Sequence, residues 1–446
     1  MIQRSILQSL NKWKTAERRK PLVMRGARQV GKTTIVKEFG KSFDNFLYLN
    51  LDDRYDKDIM EAQMPLSDKI GFIFAQKGVL RNEGTTLLFI DEIQNSPKTI
   101  SLLRYFYEEH PEIHVVSAGS LLENVVDVNA SFPVGRVEYL PVRPCSFREF
   151  AMAMGKQNLL DIIDNYPFQT PAVHTELMSL FQQYVIIGGM PEIVASYAES
   201  HDILAMDNLY ETLLQAYNDD VVKYVKANKT GGAVRHILDK GWSMAGETIS
   251  MEAFGNGIYR SRELGEAFRL LTKAMLLELV YPSSSAVQPA LADYRRSPKL
   301  IWLDTGLVNY AAGIRQTVIG AKDLLDVWRG RIGEQIVAQE LLTLNEKITQ
   351  KRYFWSVGKG NDGAEVDLVW TIDSQLFPIE VKTGHNSHLR SLHSFMEKSP
   401  VDIGIRVWSG PLSVNDVETT IKKKPFRLLN LPFYMVCNIE KIVMAL

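Results

Sequence analysis

Cysteine is scarce: 446 residues contain only Cys145 and Cys437, far apart and outside any Cys-x-x-Cys spacing. That excludes a disulfide framework or a thiolate metal centre as the organising principle. A reduced, cytoplasmic compartment is the default expectation. No apolar run reaches the ~20 residues that a membrane-spanning helix needs, so no membrane partner is expected. The opening stretch MIQRSILQSLNKWK sets charges among its apolar positions and does not read as a secretory leader. A dominant charge sign is also missing. Lys and Arg number 51 against 52 Asp and Glu, a formal net charge of −1. No whole-molecule field therefore attracts nucleic acid, and any such contact needs a local basic face. Arg18-Arg19-Lys20 and Lys422-Lys423-Lys424 are short basic runs, and such runs are usually solvated surface.

What is present is ordinary globular composition, 46% hydrophobic and 23% charged, on a chain long enough for several domains. The sharpest pattern lies near the N-terminus. Pro21-Leu22-Val23-Met24 reads as a short buried strand, GARQVGKT follows, and Thr34 to Phe39 continues as a helix. Gly26 to Thr33 fits G-x-x-x-x-G-K-[ST] in the strand–loop–helix context the motif requires. Backbone N–H groups of such a loop converge on phosphate oxygens, and the helix N-terminus adds its dipole. Gly26, Ala27, Arg28, Gln29, Val30, Gly31, Lys32, Thr33 and Thr34 are thus the expected ATP-phosphate contacts. Lys32 is expected on the β/γ-phosphates and Thr33 on Mg²⁺. A second pattern, TLLFI ending in Asp91-Glu92, has the form of a Walker B strand. There Asp91 would hold Mg²⁺ through its shell and Glu92 would polarise the attacking water.

The strand IHVVSAG, residues 113–119, ends at Ser120, and Phe132-Pro133-Val134-Gly135-Arg136 supplies a loop arginine. With GARQVGKTT, LLFIDEIQ, LPVRPCSFREF and YVIIGGMPEIV, these segments resemble AAA-family ATPases that carry a C-terminal DUF4143 region. The resemblance implies that 113–119 is the extra central strand of the ATPase sheet, with Ser120 at its sensor position. Arg136 is either a γ-phosphate contact, in its own site or in that of a second copy, or an ordinary surface arginine. A role in a second copy would require an oligomer. Gly188, Gly189 and Pro191 read as a helix-terminating bend in preference to a turn beside the nucleotide.

Residues 146–255 read mainly as helices from apolar spacing. The resemblance implies a winged-helix unit within 206–310. Arg260, Arg262, Arg269, Lys273, Arg295, Arg296 and Lys299 form a basic cluster in sequence, a candidate DNA contact diluted by Glu263 and Glu266. A helix over 328–344, strands near 352–355, 364–372 and 375–382, a helix from about 387, and the strand 403–408 give an α-β-β-β-α-β order. That order is the core of the PD-(D/E)xK nuclease-like fold, whose pattern Glu334, Asp367, Glu380 and Lys382 match. If Asp373-Ser374 turns the chain, Asp367 faces Glu380 and Glu365 faces Lys382. Opposed carboxylates repel unless one is protonated or a cation lies between them. The expectation is a divalent ion on Asp367 and Glu380, Lys382 orienting water and Glu334 assisting. The bland alternative is a cross-strand ion pair on a solvated sheet face. His385, His388 and His393 read as surface or cap residues.

The expected architecture is α/β: a P-loop NTPase parallel sheet at 1–150, a helical lid or linker at 151–205, a winged-helix-like region at 206–320, and a restriction-nuclease-like domain at 325–446. The expected activity is ATP binding and hydrolysis with Mg²⁺, controlling a nuclease-like domain that acts on DNA. The alternative is a regulatory ATPase switch with a binding-only C-terminal domain and a protein partner.

Overall fold

The computed structural model describes residues 2–446 except 82, 120–132, 134, 166–170, 224–227, 256, 316–330, 345, 346, 349, 351, 359–362 and 383–388. The chain forms two compact units. One spans 3–143 with 346–349, and the other contains 144–345 and 350–446.

The first unit is built on β1 (Leu22–Arg25), β2 (Asn45–Asn50), β3 (Thr86–Asp91), β4 (His114–Gly119) and β5 (Glu138–Pro141). Their order is β2-β3-β4-β1-β5, and each pair is parallel. β4 therefore lies between the glycine-loop strand and the Asp91 strand, the place expected of an extra central strand. All six residues of β3 and all six of β4 are buried. Helices cover both faces of a parallel sheet, so its central strands lose the usual alternation of polar and apolar residues. Leu88, Ile90 and Val115 pack against Ile70, Ile100 and Phe106 in one core. Asp91 thus reaches the carboxyl edge of the sheet beside the loop that follows β1, where open α/β sheets place their ligands.

The second unit is organised by an eight-stranded mixed sheet. Its strands are β6 (Leu277–Ser283), β7 (Lys299–Trp302), β8 (Tyr353–Val357), β9 (Ala364–Ile372), β10 (Gln375–Lys382), β11 (Ile403–Trp408), β12 (Ser413–Glu418) and β13 (Pro425–Pro432), in the order β12-β13-β11-β10-β9-β8-β6-β7. Helix Arg331–Thr343, β8, β9, β10, helix Arg390–Met396 and β11 reproduce the expected α-β-β-β-α-β order. The boundary expected between 320 and 325 does not separate two sheets. β6 pairs in parallel with β8 and carries β7 as an antiparallel neighbour, so a hairpin from the expected winged-helix region is part of the C-terminal sheet.

Two local arrangements explain this. Gln335 on helix Arg331–Thr343 accepts from the Trp302 N–H at 2.9 Å and donates to the Trp302 carbonyl at 2.7 Å. Its carboxamide thereby satisfies the outer backbone groups of Trp302, while Gly246 and Glu247 pair with those of Leu300 at 2.8 Å, so the outer edge of β7 is covered. The Gly188-Gly189 segment ends helix Pro171–Ile187, with Gly188 at φ 75°, and helix Pro191–Ser200 begins just after it. A Cβ on Gly188 would lie 2.2 Å from Asp304 Oδ1, and one on Gly189 would lie 2.1 Å from the Cys145 carbonyl. Asp304 accepts from the Gly189 N–H at 2.5 Å and caps helix Thr305–Ala311 through Leu307 at 3.0 Å. The bend is a helix terminator that brings backbone into contact with a buried carboxylate.

Candidate functional site

In the first unit, Gln29 (φ 63°) and Gly31 (φ 89°) adopt left-handed conformations on either side of Val30. The helix Lys32–Gly40 starts directly after them. Alternating backbone handedness of this kind turns successive N–H groups inward to form an anion-binding concavity. Lys32 is only 8% exposed. Its Nζ donates to the carbonyls of Gly26 at 2.9 Å and Ala27 at 2.7 Å, so its ammonium is held over the loop. Arg28, Gln29 and Thr34 are exposed on the loop and first helical turn.

Thr33 Oγ1 donates to Asp91 Oδ2 at 2.7 Å, joining the loop to the end of β3. Asp91 is buried, and its Oδ1 accepts from the Glu92 N–H at 3.0 Å. Glu92 has φ 50°, a strained backbone for a residue with a Cβ. Gln94 Nε2 donates to Glu92 Oε2 at 2.5 Å. Burial raises the Glu92 carboxyl above its ordinary range, against the Gln94 hydrogen bond that lowers it. Tyr48 Oη lies 3.4 Å from Asp91 Oδ2, and burial together with the Asp91 charge pushes the phenol up to about 12. Gln94 and Tyr48 escaped the sequence reading. Gln94 carried a faint signal as the first polar residue after Asp91-Glu92, whereas Tyr48 carried none on its own strand.

Ser120 lies outside the described residues, as do His385 and His388. Arg136 forms an ion pair with Glu108 at 2.8 Å at the end of helix Pro97–Glu109, and it is 44% exposed. His393 contacts Thr420 Oγ1 at 3.0 Å on the second unit.

The β9–β10 hairpin turns at Asp373 (φ 44°) and Ser374 (φ 62°), the geometry of a two-residue primed turn. Pairing runs from Gln375↔Ile372 to Ile379↔Leu368, which is the expected register. The ladder then changes. Asp367 Oδ2 accepts from the Val381 N–H at 2.8 Å, so the carboxylate takes a main-chain hydrogen bond. Lys382 does not meet Glu365. It pairs with Glu380 Oε1 at 2.7 Å, while Glu380 Oε2 is buried with no hydrogen-bond partner.

Glu365 instead meets Lys299. This lysine, expected in the basic cluster, is 3% exposed on β7. Its Nζ lies 2.8 Å from Glu334, 3.0 Å from Glu365 and 3.7 Å from Asp367 Oδ1. Burial opposes the charge on Lys299, but the three carboxylates outweigh it and raise the ammonium above its ordinary range. Burial first, and then the Asp367 charge, push Glu334 and Glu380 above the usual carboxylate range. A divalent ion shared by Asp367 and Glu380 does not fit this donor set. Asp367 is engaged by Val381 and Lys299, Glu334 by Lys299, and Glu380 by Lys382. Among the described residues, no three His, Cys, Asp or Glu side chains form a group able to hold a metal ion.

The rest of the basic cluster is also partly committed. Arg296 donates to Ser356 O at 2.8 Å and to Ser356 Oγ at 2.7 Å, and Arg295 pairs with Asp293 at 3.0 Å. Lys424 donates to the carbonyls of Met396, Ser399 and Val401, so part of the C-terminal basic run has a structural role.

Comparison with known proteins gives three family matches. Residues 18–151 match the model of an AAA domain, 178–318 that of a domain of unknown function, DUF8612, and 329–434 that of another, DUF4143. The chain thus contains a P-loop, AAA-type region followed by a DUF4143 region. No curated protein matches it. Among solved structures, a Walker-type ATPase of Pyrococcus abyssi is 12% identical, covers 70% of this chain and 96% of its own, and has a TM-score of 0.43. The Orc1 protein of Aeropyrum pernix in complex with DNA is 12% identical, with coverage of 69% and 90% and a TM-score of 0.28. The Thermotoga maritima RuvB Holliday junction branch migration motor is 13% identical, with coverage of 66% and 93% and a TM-score of 0.27. Likeness at this level carries no argument about function.

Proposed function

We propose that this protein binds and hydrolyses ATP at the Gly26–Thr34 loop and acts as a nucleotide-dependent switch, its second unit serving as a binding module. The observation that carries the reading is the Thr33 Oγ1–Asp91 Oδ2 contact of 2.7 Å, which joins the phosphate loop to the acidic end of β3. Thr33 and Asp91 are the residues that would hold Mg²⁺, which would neutralise phosphate charge when bound. The inward-turned loop and the buried Lys32 suit a polyphosphate in shape and charge. Glu92 is the proposed base, orienting water towards the γ-phosphate, and Gln94 fixes its rotamer. Ser120 and Arg136 remain proposed polar contacts to the same phosphate, Arg136 on condition that it leaves Glu108.

A second reading makes the C-terminal region a nuclease acting on DNA. Its support is the juxtaposition of Glu334, Asp367, Glu380 and Lys382, four residues brought together from one helix and one hairpin. The binding-only reading is favoured because lysines neutralise those acids.

Two measurements decide. Titration with a fluorescent ATP analogue is expected to show binding by the wild-type chain and none by Lys32→Ala. Equal binding by both would remove the site assignment. Plasmid incubated with Mg²⁺ or Mn²⁺ and ATP is expected to remain supercoiled. Nicking by wild type but not by Lys382→Ala would establish the nuclease reading.

A further inference from the structure

We infer that Lys299 is the resident cation of the C-terminal acidic site, an ammonium standing where the residue pattern calls for a divalent metal ion. The inference deepens the binding-only reading of the second unit and is independent of nucleotide chemistry in the first.

Leu300, Ile301 and Trp302 of β7 are all buried, and Lys299 is the single charged residue among the four. A buried ammonium is tolerated only when it is paired and hydrogen-bonded. Lys299 meets that need through three carboxylates from two separate elements, Glu334 on helix Arg331–Thr343 and Glu365 and Asp367 on β9. The Asp367 carbonyl adds a contact at 3.4 Å, and the Phe354 ring centroid lies 5.0 Å away.

The lysine is not free to swing out. Its backbone is paired with Val280 in the β6–β7 ladder and bridged to Thr248. Its side chain is 4% exposed, so withdrawal would strand an unpaired charge in the interior or pull β7 from the sheet. A divalent ion on Asp367 would then sit a few ångströms from a fixed positive charge, and that repulsion is large in a partly buried site. The second lysine acts alike. Lys382 holds Glu380 Oε1 at 2.7 Å, leaving Glu380 Oε2 buried without a hydrogen-bond partner. One carboxylate oxygen leaves a hard cation to fill its remaining positions with water and holds it only weakly.

The test is Mn²⁺ uptake, followed by the electron paramagnetic resonance signal of free Mn²⁺, on full-length chain carrying Asp91→Asn to silence the nucleotide site. Titrations with and without Asp367→Asn are expected to overlay up to millimolar Mn²⁺. Lys299→Met in the same background is expected to gain an Mn²⁺ site at least about tenfold tighter than any weak uptake of its parent, and Asp367→Asn should remove it. Saturable uptake by the chain with Lys299 intact, abolished by Asp367→Asn, would overturn the inference. So would a Lys299→Met chain that keeps its circular dichroism spectrum yet gains no site. If Lys299→Met fails to fold, the two titrations on the lysine-bearing chain still decide. Failure here leaves fluorescent-nucleotide binding by the Asp91-bearing chain untouched, so the two claims fail separately.

Discussion

Lys32, Glu92 and Glu340 are ionisable groups whose surroundings each define a measurable consequence. Lys32 is placed to meet phosphate and Glu92 to meet water, so their substitutions should separate binding from turnover. Glu92→Gln is expected to bind ATP as wild type does while turning over about 10²–10⁴-fold more slowly. Loss of binding in that variant would mean that Glu92 supports the loop and not the reaction. Glu340 stands outside the site but is fully buried. Its Oε1 accepts from Tyr184 Oη at 2.6 Å and from the Phe147 N–H at 3.0 Å, while Oε2 has no hydrogen-bond partner. Burial pushes this carboxyl from an ordinary 4.5 up to about 7. The folded chain therefore keeps a proton that the unfolded chain has already lost. The associated stability is fully present below the ordinary carboxylate range and is lost as pH rises through about 7. Glu340→Gln should remove up to roughly 3 kcal/mol of this pH dependence. Urea unfolding of both chains between pH 5 and pH 8 would show it, and parallel pH profiles would contradict the assignment.

At the scale of the element, the hairpin and the glycine bend were legible to different degrees. The β9–β10 register could be read because Asp373-Ser374 is a turn signal between two apolar runs, and pairing across a two-residue turn is fixed by geometry. The ion pairing could not, because Lys299 lies far away in sequence and enters through β7. The trace it left was one charge in an otherwise apolar strand. The glycine pair announced a bend but not its partner, since only the fold brings Asp304 within 2.5 Å of the Gly189 N–H. Gly188→Ala should be destabilising by about 2–4 kcal/mol, from the left-handed backbone and the collision with Asp304. The urea midpoint should fall at constant slope. A change below about 0.5 kcal/mol would show that the turn relaxes freely.

For the whole molecule, the nucleotide loop and the α/β architecture were legible because both depend on local order: strand, loop, helix, acidic strand end. The division of the remainder was not. Sequence suggested a break near 320, yet β6 and β7 close one side of the C-terminal sheet, a long-range pairing that no local pattern encodes. A fragment of residues 144–446 should therefore unfold cooperatively. One of 325–446, with β8 left as an apolar edge, should aggregate or lack cooperativity. Cooperative thermal unfolding of the shorter fragment would contradict the shared sheet. ATP hydrolysis is the activity proposed for the first unit. It is tested most directly by steady-state phosphate release from ATP and Mg²⁺, comparing wild type with Lys32→Ala. Turnover by the wild-type chain that falls to background in the variant is the expected result, and equal release by the two would contradict it.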